Sequence, residues 1–489
     1  PKDANLPLHA AEDVDKLSAV AVCTAYLSHL QANWDYQHPQ TPLAEQSVVL
    51  TVPASFDPAA RDLTAQAAKA VGLQQLTLLE EPQAATYAWI AQHQETWREQ
   101  LQVGDQLLVV DVGGGTTDLS LIQVFEQAGE LALERVAVGE HILLGGDNMD
   151  LSLAYQVSQQ LQLAGTKLAP WQIQTMTQSC RQAKEALLAD SELETMAVVV
   201  PGRGSALIGG SIRAELKQQT VIDTILDGFF PVVDISATPT RRTKAGLTQL
   251  GLDYAADAGI TRYIAAFLSA HGDAESWAKP KAVLLNGGVF KSARITQRFI
   301  DQINAWRGEA GLDDARLLNG ADLDRAVAQG AAYYGQVRQG RGLRIRGGLA
   351  STFYLGIESA MPAVPGMPTP LQAVCVGPFG LEEGQSAGRV PQQVFGLIVG
   401  EPVTFQFYHS LTRKHDQLGE MLDFWEDQEL LELPNIQAEV PANERAPGTV
   451  VPVELEVSVT ELGTLAVLAI PTDGSTSWPI ELDVRESIR

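Results

Sequence analysis

Residues 111–118 of this 489-residue chain read Asp-Val-Gly-Gly-Gly-Thr-Thr-Asp, and apolar segments precede and follow them at 107–110 and 119–125. Two apolar segments separated by a short glycine-containing turn are typical of a β-hairpin. Three consecutive glycines allow positive φ angles and a close approach of the backbone, so successive N–H groups can converge on a polyphosphate. The stretch therefore predicts a phosphate loop on a hairpin, which a third apolar segment at 131–138 extends to a meander.

Polar side chains flank the glycines of this loop. Asp111 and Asp118 carry hard oxygen ligands that suit Mg²⁺, directly or through water, and Thr116 and Thr117 add hydroxyl groups. An ordinary glycine hairpin with solvated acids is the alternative interpretation.

Two further glycine pairs follow predicted strands. Gly145 and Gly146 precede Asp147, and Gly287 and Gly288 follow the apolar segment 282–285. Each pair alone is as easily a plain turn, but three such turns in one α/β region suit a cleft that closes over a nucleotide. The sequence contains neither the G-x-x-x-x-G-K-[ST] pattern of a P-loop nor a strand-linked G-x-G-x-x-G pattern of a Rossmann site.

Composition excludes several classes of protein. The chain has 34 basic and 59 acidic residues, a formal net charge of -25, and 45% hydrophobic residues. This balance is typical of a folded globular protein and opposes binding to nucleic acid or to an anionic membrane surface. Three widely separated cysteines indicate neither a disulfide framework nor a zinc site. Because no signal segment or membrane-spanning apolar run is present, we predict a cytoplasmic protein.

The pattern of the chain changes twice along its length. Helical periodicity alternates with short apolar strands up to about residue 340, which is typical of an α/β architecture. Four arginines and four glycines at 338–348 are typical of a linker, and strict alternation at 453–459 is typical of a β-sandwich-like domain. We predict a nucleotide-binding domain at 1–340 with an insert subdomain at about 150–280, a linker at 341–350, and an all-β domain at 351–489.

Six segments resemble, in order, the motifs of the seventy-kilodalton heat-shock chaperone family, the DnaK-like proteins: 48–61 (VVLTVPASFDPAAR), 78–88 (LLEEPQAATYA), 109–120 (VVDVGGGTTDLS), 143–150 (LLGGDNMD), 283–290 (VLLNGGVF) and 324–332 (DRAVAQGAA). The resemblance implies an actin-like (ribonuclease H-like) ATPase domain, a linker and a peptide-binding β-sandwich-like domain. It also implies ATP or ADP, Mg²⁺ and, as a further cation, K⁺ as cofactors. Unfolded client polypeptides and co-chaperones are the implied partners.

The same resemblance assigns roles to matching residues. Those that would contact the nucleotide are Gly113, Gly114, Gly115, Thr116, Thr117, Gly145, Gly146, Asp147, Lys184, Gly287, Gly288 and Asp324. Asp111 would lie near Mg²⁺, through water, and near the attacking water, with Glu81 and Asp118 as the other acids of the reaction. Alternatives stay open for three of these: Glu81 as an acid favoured by a helix start, Asp118 as a solvated acid, and Asp324 as a helix N-cap.

Other positions match the family only in part. Lys184 keeps the residue type of the family's adenine-contacting helix, whereas Arg181 stands where the family has an acid and Leu188 where it has a hydroxyl. Pro53 and Arg61 match residues that relay the nucleotide state between domains, although a strand end and a surface helix residue would explain them equally. The arginine-rich linker differs from the family's apolar and acidic linker.

The family's first phosphate loop and a following lysine are expected before residue 1, and its helical lid after residue 489, so we expect a chain that is incomplete at both ends. Whether these residues hydrolyse ATP by themselves is left open. A catalytically weak pseudo-chaperone that acts as a nucleotide-sensing scaffold for one partner is the alternative function. An actin-like sugar kinase is a third, which the alternating strands at 453–484 disfavour.

Overall fold

The computed structural model describes the following residues: 16–54, 56, 58–127, 130–139, 142–200, 202, 211–240, 255–272, 276–320, 322–346, 349, 351–358, 370–382, 385–391, 393–426, 429–433, 436–442, 445–459 and 465–481. They group into two compact units. The first unit comprises Pro1–Val52, Phe56–Leu79 and Gly335–Arg489, and the second comprises Pro53–Ser55 and Glu80–Tyr334.

The α-helices of the described residues are α1 (Ala19–Gln37), α2 (Pro58–Ala70), α3 (Glu81–His93), α4 (Trp97–Gln100), α5 (Gly146–Leu163), α6 (Pro170–Ala189), α7 (Gln218–Ile222), α8 (Ile260–Ala270), α9 (Ala293–Glu309) and α10 (Ala326–Arg338). A π-helix follows α7 at Asp223–Phe229. No helix in this part of the chain is long and apolar enough to cross a membrane.

The strands up to residue 346 are β1 (Val48–Val52), β2 (Leu76–Glu80), β3 (Gln106–Val112), β4 (Thr117–Gln127), β5 (Glu130–Val138), β6 (Thr195–Val200), β7 (Ile212–Lys217), β8 (Ala282–Asn286), β9 (Arg316–Leu318) and β10 (Ile345–Arg346). The later strands are β11 (Thr352–Glu358), β12 (Leu371–Gly377), β13 (Ser386–Arg389), β14 (Phe395–Val399), β15 (Pro402–Phe405), β16 (Phe407–Ser410), β17 (Met421–Leu422), β18 (Leu431–Glu432), β19 (Ile436–Glu439), β20 (Thr449–Val459), β21 (Leu465–Pro471) and β22 (Trp478–Glu481).

A mixed sheet forms the centre of the second unit. Its strands pair in the order β5, β4, β3, β8, β9, with antiparallel pairs from β5 to β3 and parallel pairs from β3 to β9. The predicted meander is thereby confirmed. Strands β3 and β8 are buried over nearly their whole length, which explains why their sequences are continuous apolar runs rather than alternating ones.

Helices α5 and α6 pack on the same apolar core as the sheet. Met149, Leu153 and Val157 of α5 meet this core, as do Met176 and Cys180 of α6. Strands β6 and β7, which follow α6, form an antiparallel pair. Burial of these helix faces fixes where the first turn of α5 and residues 181–184 of α6 lie, and the candidate site depends on both segments.

The first unit contains a small sheet, β1 with β2, and two larger antiparallel sheets in its later part. The larger sheets have the strand orders β17-β12-β11-β16-β18 and β13-β20-β21-β22, with β14 also paired to β20. Alternate residues of β20 are buried, and side chains from both sheets share one apolar core. The alternation in the sequence therefore predicted the β segments correctly.

Helix α10 begins in the second unit, where it packs closely against α3. A Cβ added at Gly330 would lie 1.7 Å from the carbonyl oxygen of Ala84. Residues 82–90 of α3 are all buried, so this carbonyl has little freedom to move. Glycine at 330 is thus required by backbone contact rather than by a turn.

We expect Gly330→Ala to lower the free energy of unfolding by about 3 kcal/mol, because the methyl group forces α10 away from α3. The matched control is Gly308→Ala in α9, where nothing lies within 4 Å of the added Cβ. That change should be neutral or stabilise by up to about 1 kcal/mol. Urea denaturation of both variants measures the difference, and equal losses would contradict the packing.

Candidate functional site

The hairpin of β3 and β4 places two acids side by side. Asp111 and Asp118 are directly opposite each other in the antiparallel register, and both are buried. The loop between the strands is closed by a hydrogen bond of 2.9 Å from the backbone N–H of Gly113 to the carbonyl of Thr116. Gly114 and Gly115 at its tip are exposed.

Glu81 supplies a third acid to this cluster. It is the first residue of α3 and is followed by Pro82, so it lies at the positive end of the helix dipole. Burial, and then the charges of Asp111 and Asp118, raise the pKa of the Glu81 carboxyl to about 8. Glu81 therefore lies at a helix start, as the alternative interpretation requires, and also beside the other two acids. Its raised pKa means that the helix dipole does not keep this carboxyl ionised at neutral pH.

A buried ion pair lies next to the start of α3. Glu80, the residue that precedes the helix, pairs with Arg135 of β5, and both side chains are buried. Sequence reasoning missed this pair. The only signal was two adjacent acids before a proline, which does not reveal an arginine 55 positions away.

Asn286 is a second residue that sequence reasoning missed. It ends β8 opposite Asp111 in the parallel register, and its side-chain N–H donates to Asp111 Oδ2 at 2.7 Å. The pKa of Asp111 is raised to about 6, mainly by burial. The hydrogen bond from Asn286 lowers this pKa, and the charge of Asp118 raises it. The amide oxygen of Asn286 is buried without a hydrogen-bond partner among the described residues.

The second glycine turn is joined to the first by backbone hydrogen bonds. The N–H groups of Gly146 and Asp147 donate to the carbonyls of Gly113 and Gly114 at 3.0 and 2.7 Å. A Cβ at Gly145 would lie 2.6 Å from the Gly114 oxygen, so only glycine fits there. The structure thus brings the two predicted turns together, but these two N–H groups bond the loop instead of facing an anion.

Thr117 and the third glycine turn complete the surroundings of the loop. The Thr117 hydroxyl donates to the Leu144 carbonyl at 2.8 Å and is buried, so it braces the turn before α5. Gly287 has a φ of +90°, and a Cβ there would lie 2.2 Å from the Val112 oxygen. Gly288 and Gly115 instead have nothing within 4 Å of an added Cβ, which leaves room above both backbones.

These residues fit a phosphate group better than a bare metal ion. Open backbone at Gly115 and Gly288 suits an anion, and Asp111 and Asp118 flank the glycine loop on the two strands of the hairpin. Within the described ranges, no three Asp, Glu, His or Cys side chains converge closely enough to hold a metal ion directly. Asp111 therefore fits Mg²⁺ held through water and phosphate oxygens rather than in an all-protein cage.

Lys184 lies in an ion-pair chain between α5 and α6. Its Nζ is 2.8 Å from Asp150 Oδ1, and both side chains are buried. Arg181 Nε donates to the other Asp150 oxygen at 2.7 Å, and a terminal nitrogen of Arg181 pairs with Asp147. Lys184 thus has a protein partner, and its nucleotide contact stays a prediction.

Asp324 lies on the exposed side of the second unit, where it pairs with Lys291. It does not cap α10. Asp322 takes that place, since its carboxylate accepts from the backbone N–H of Asp324 at 3.1 Å and its carbonyl accepts from Ala326 at 2.6 Å. The N-cap interpretation of Asp324 is wrong because Asp322, two residues earlier, accepts from the backbone N–H groups at the start of this helix.

Comparison with known proteins shows which proteins this sequence is similar to. Residues 3–218 match the family model described as Hsp70 protein. Similar curated proteins include the "Chaperone protein HscA homolog" of Burkholderia multivorans and that of Burkholderia cenocepacia, each 34% identical over 194 residues, which is 40% of this chain and 28% of the relative. The homolog from Burkholderia lata is 34% identical over 196 residues, with the same shares.

Over residues 3–218 the chain is similar to Hsp70 proteins. The match covers 28% of the length of these curated relatives. The family-model match over residues 3–218 includes Glu81, the glycine loop and Lys184. Gly287, Gly288 and Asp324 lie beyond residue 218.

Two positions of the chain were predicted to relay the nucleotide state. Pro53 follows β1 and is half-buried. Arg61 lies in α2, where its Nε donates to the Phe56 carbonyl at 3.2 Å. Arg61 is buried, so its interpretation as a surface helix residue is wrong, while the relay role of both residues stays a prediction.

The raised pKa of Glu81 predicts a pH-dependent stability. The pKa of this carboxyl is about 8 in the fold and 4.5 when unperturbed, so the folded chain holds the extra proton between these values. Stability contributed by this proton is fully present below about pH 4.5 and falls as pH rises toward about 8. In Glu81→Gln, the free energy of unfolding should fall by on the order of 3 kcal/mol less than in wild type over this pH range, because glutamine does not titrate.

Urea denaturation of wild type and Glu81→Gln from pH 5 to pH 9 measures this effect. The matched control is Glu309→Gln at the exposed end of α9, whose curve should run parallel to that of wild type. A Glu81→Gln curve that is also parallel to wild type would contradict the buried, proton-holding position of Glu81.

Proposed function

We propose that this Hsp70-like chain binds Mg-ATP and Mg-ADP at the glycine loop of an actin-like domain. We propose further that the complete protein couples ATP hydrolysis to the binding of unfolded polypeptide in the cytoplasm, with co-chaperones. The observation that carries the proposal is the hydrogen-bonded pair of glycine turns, 113–116 and 145–147, beside the buried acids Asp111 and Asp118 and the half-buried Glu81. The family match over residues 3–218 supports the same conclusion.

The loop residues would bind and orient the polyphosphate. Gly114 and Gly115 offer exposed backbone, and Gly288 offers a second open surface beside them. When bound, Mg²⁺ supplies positive charge to the phosphate oxygens, and K⁺ is a further cation that the family resemblance suggests. Asp111 and Asp118 would hold the water ligands of Mg²⁺.

The acids differ in protonation, and this difference supports a division of roles. At neutral pH Asp111, with a pKa of about 6, is mostly ionised and can orient an attacking water through Oδ1, because Asn286 binds Oδ2. Glu81, with a pKa of about 8, mostly holds its proton. The reaction would transfer the γ-phosphoryl group to water, giving ADP and phosphate, so positioning accounts for most of the rate.

The first test is Mg-ATP binding by the full chain in titration calorimetry. We expect Gly115→Ala to weaken binding about tenfold or more, because its methyl group fills space that the phosphate needs. The free energy of unfolding should change by less than about 0.5 kcal/mol, since nothing lies within 4 Å of that methyl group. Gly308→Ala is the matched control, with unchanged affinity.

Phosphate release measured on the same proteins tests the reaction. Asp111→Asn should lower the rate about a hundredfold while Mg-ATP still binds. A wild type that binds Mg-ATP but releases phosphate no faster than Asp111→Asn would favour the nucleotide-sensing scaffold. A wild type with no affinity above that of Gly115→Ala would overturn the proposal for this chain.

An exposed apolar patch supports the polypeptide-binding part of the proposal. Ile398 of β14 is 39% exposed and lies opposite Val450 of β20, which is 61% exposed. Exposed apolar pairs on a strand suit an extended apolar polypeptide, which adds contacts along a sheet.

We expect the double variant Ile398→Thr, Val450→Thr to bind a permanently unfolded, fluorescently labelled polypeptide about fivefold more weakly. Threonine keeps the β-branched shape, so the strands should persist. Fluorescence anisotropy measures the affinity, with Leu163→Thr as control because Leu163 is 91% exposed at the end of α5. Equal affinities of all three proteins would remove this patch from the proposal.

A further inference from the structure

The ion-pair chain beside the glycine loop contains an arginine that contacts one buried and one exposed acid. Arg181 binds Asp150 through Nε and Asp147 through a terminal nitrogen. Asp150 is buried and also has Lys184 as a partner at 2.8 Å. Loss of Arg181 would leave Asp150 with Lys184 as a partner but would remove the hydrogen bond to its Oδ2. The contact of Arg181 with Asp147 is a solvent-exposed ion pair that contributes little to folding.

Asp147 lies at the edge of the proposed phosphate site. Its backbone N–H donates to the Gly114 carbonyl at 2.7 Å. Its carboxylate oxygens are 3.5 and 3.6 Å from the position that a Cβ of Gly114 would take. The side chain of Asp147 is 61% exposed, so its charge faces the same opening as the loop tip.

A carboxylate at this position opposes the binding of a polyphosphate. Like charges at short range repel, and the repulsion is stronger at a partly buried site than in bulk water. The guanidinium of Arg181 is 38% exposed and contacts Asp147 directly, while Asp150 fixes its other edge. The Arg181 cation therefore lies beside an acid that contacts the glycine loop.

We infer that Arg181 is a positioning residue that neutralises Asp147, so that the glycine loop accepts a polyphosphate. The inference rests on the proposed nucleotide binding and adds the residue that sets the charge at the edge of the glycine loop. Arg181 acts through Asp147, and its effect grows with the number of phosphate charges on the ligand.

The test is a double-mutant cycle on the full chain, with Mg-ATP, Mg-ADP and adenosine as ligands in titration calorimetry. Arg181→Ala should weaken Mg-ATP binding about tenfold, Mg-ADP binding less, and adenosine binding less than twofold. Asp147→Asn in the Arg181→Ala background should restore Mg-ATP affinity to within about twofold of wild type. Arg181→Lys should keep most of it, because the charge is retained.

The matched control is Arg298→Ala, which removes an ion pair to Asp227 between α9 and the π-helix. It should leave all three affinities unchanged. Denaturation curves of Arg181→Ala and of Arg181→Ala with Asp147→Asn should match each other, since both lack the hydrogen bond to Asp150. A restored affinity at equal stability separates a charge effect from a folding effect.

Three outcomes would overturn the inference while the wild type still binds Mg-ATP. They are an unchanged Mg-ATP affinity in Arg181→Ala, a loss that Asp147→Asn does not restore, and an equal loss for adenosine. The second would make Arg181 a direct ligand of the phosphates, and the third would give it a role at the base. A wild type that binds no Mg-ATP would instead overturn the proposed function.

Discussion

The candidate site depends on the two backbone hydrogen bonds between the start of α5 and the glycine loop. Through them, Gly146 and Asp147 hold the carbonyls of Gly113 and Gly114, so the loop is supported from one side along its length. An isolated triple glycine would sample many conformations, since glycine loses more conformational entropy on ordering than any other residue. Support by the first turn of a packed helix restricts that freedom before any ligand binds.

This arrangement explains why glycine is needed at positions that do not face the ligand. Gly145 and Gly287 are required because carbonyl oxygens occupy the places of their Cβ atoms, at 2.6 and 2.2 Å. Gly115 and Gly288 have open space instead. The glycines thus divide into those that let backbones approach one another and those that leave room for a phosphate.

The local parts of the fold could be predicted from the sequence, and the non-local parts could not. The hairpin of β3 and β4 and the alternation of β20 follow from residues that are neighbours in the chain, so their periodicity sufficed. Asn286 lies 175 positions after Asp111 and meets it only because β8 pairs in parallel with β3. No spacing rule reports such a register.

The same distinction explains the side chains around the site. The resemblance to a family singled out Lys184 and the altered Arg181, but only the packing of α5 against α6 shows that both bind Asp150. Glu81 was assigned by resemblance, and its raised pKa depends on burial beside two strands that follow it in the chain. Charge partners across helices and sheets are properties of the assembled fold.

The net charge of -25 and a phosphate site are compatible because electrostatics at this site is local. Charges on the far surface are screened over a Debye length of about 8 Å at physiological ionic strength, whereas groups at the loop are not. The proton on Glu81 removes one negative charge beneath the loop at neutral pH, and Arg181 offsets another at its edge. A cation that entered with the phosphates would favour ionised Glu81, so binding of the cation and release of this proton would be linked. The three acids can therefore lie close together in the absence of a ligand, because the proton on Glu81 offsets part of the negative charge that a bound cation would otherwise offset.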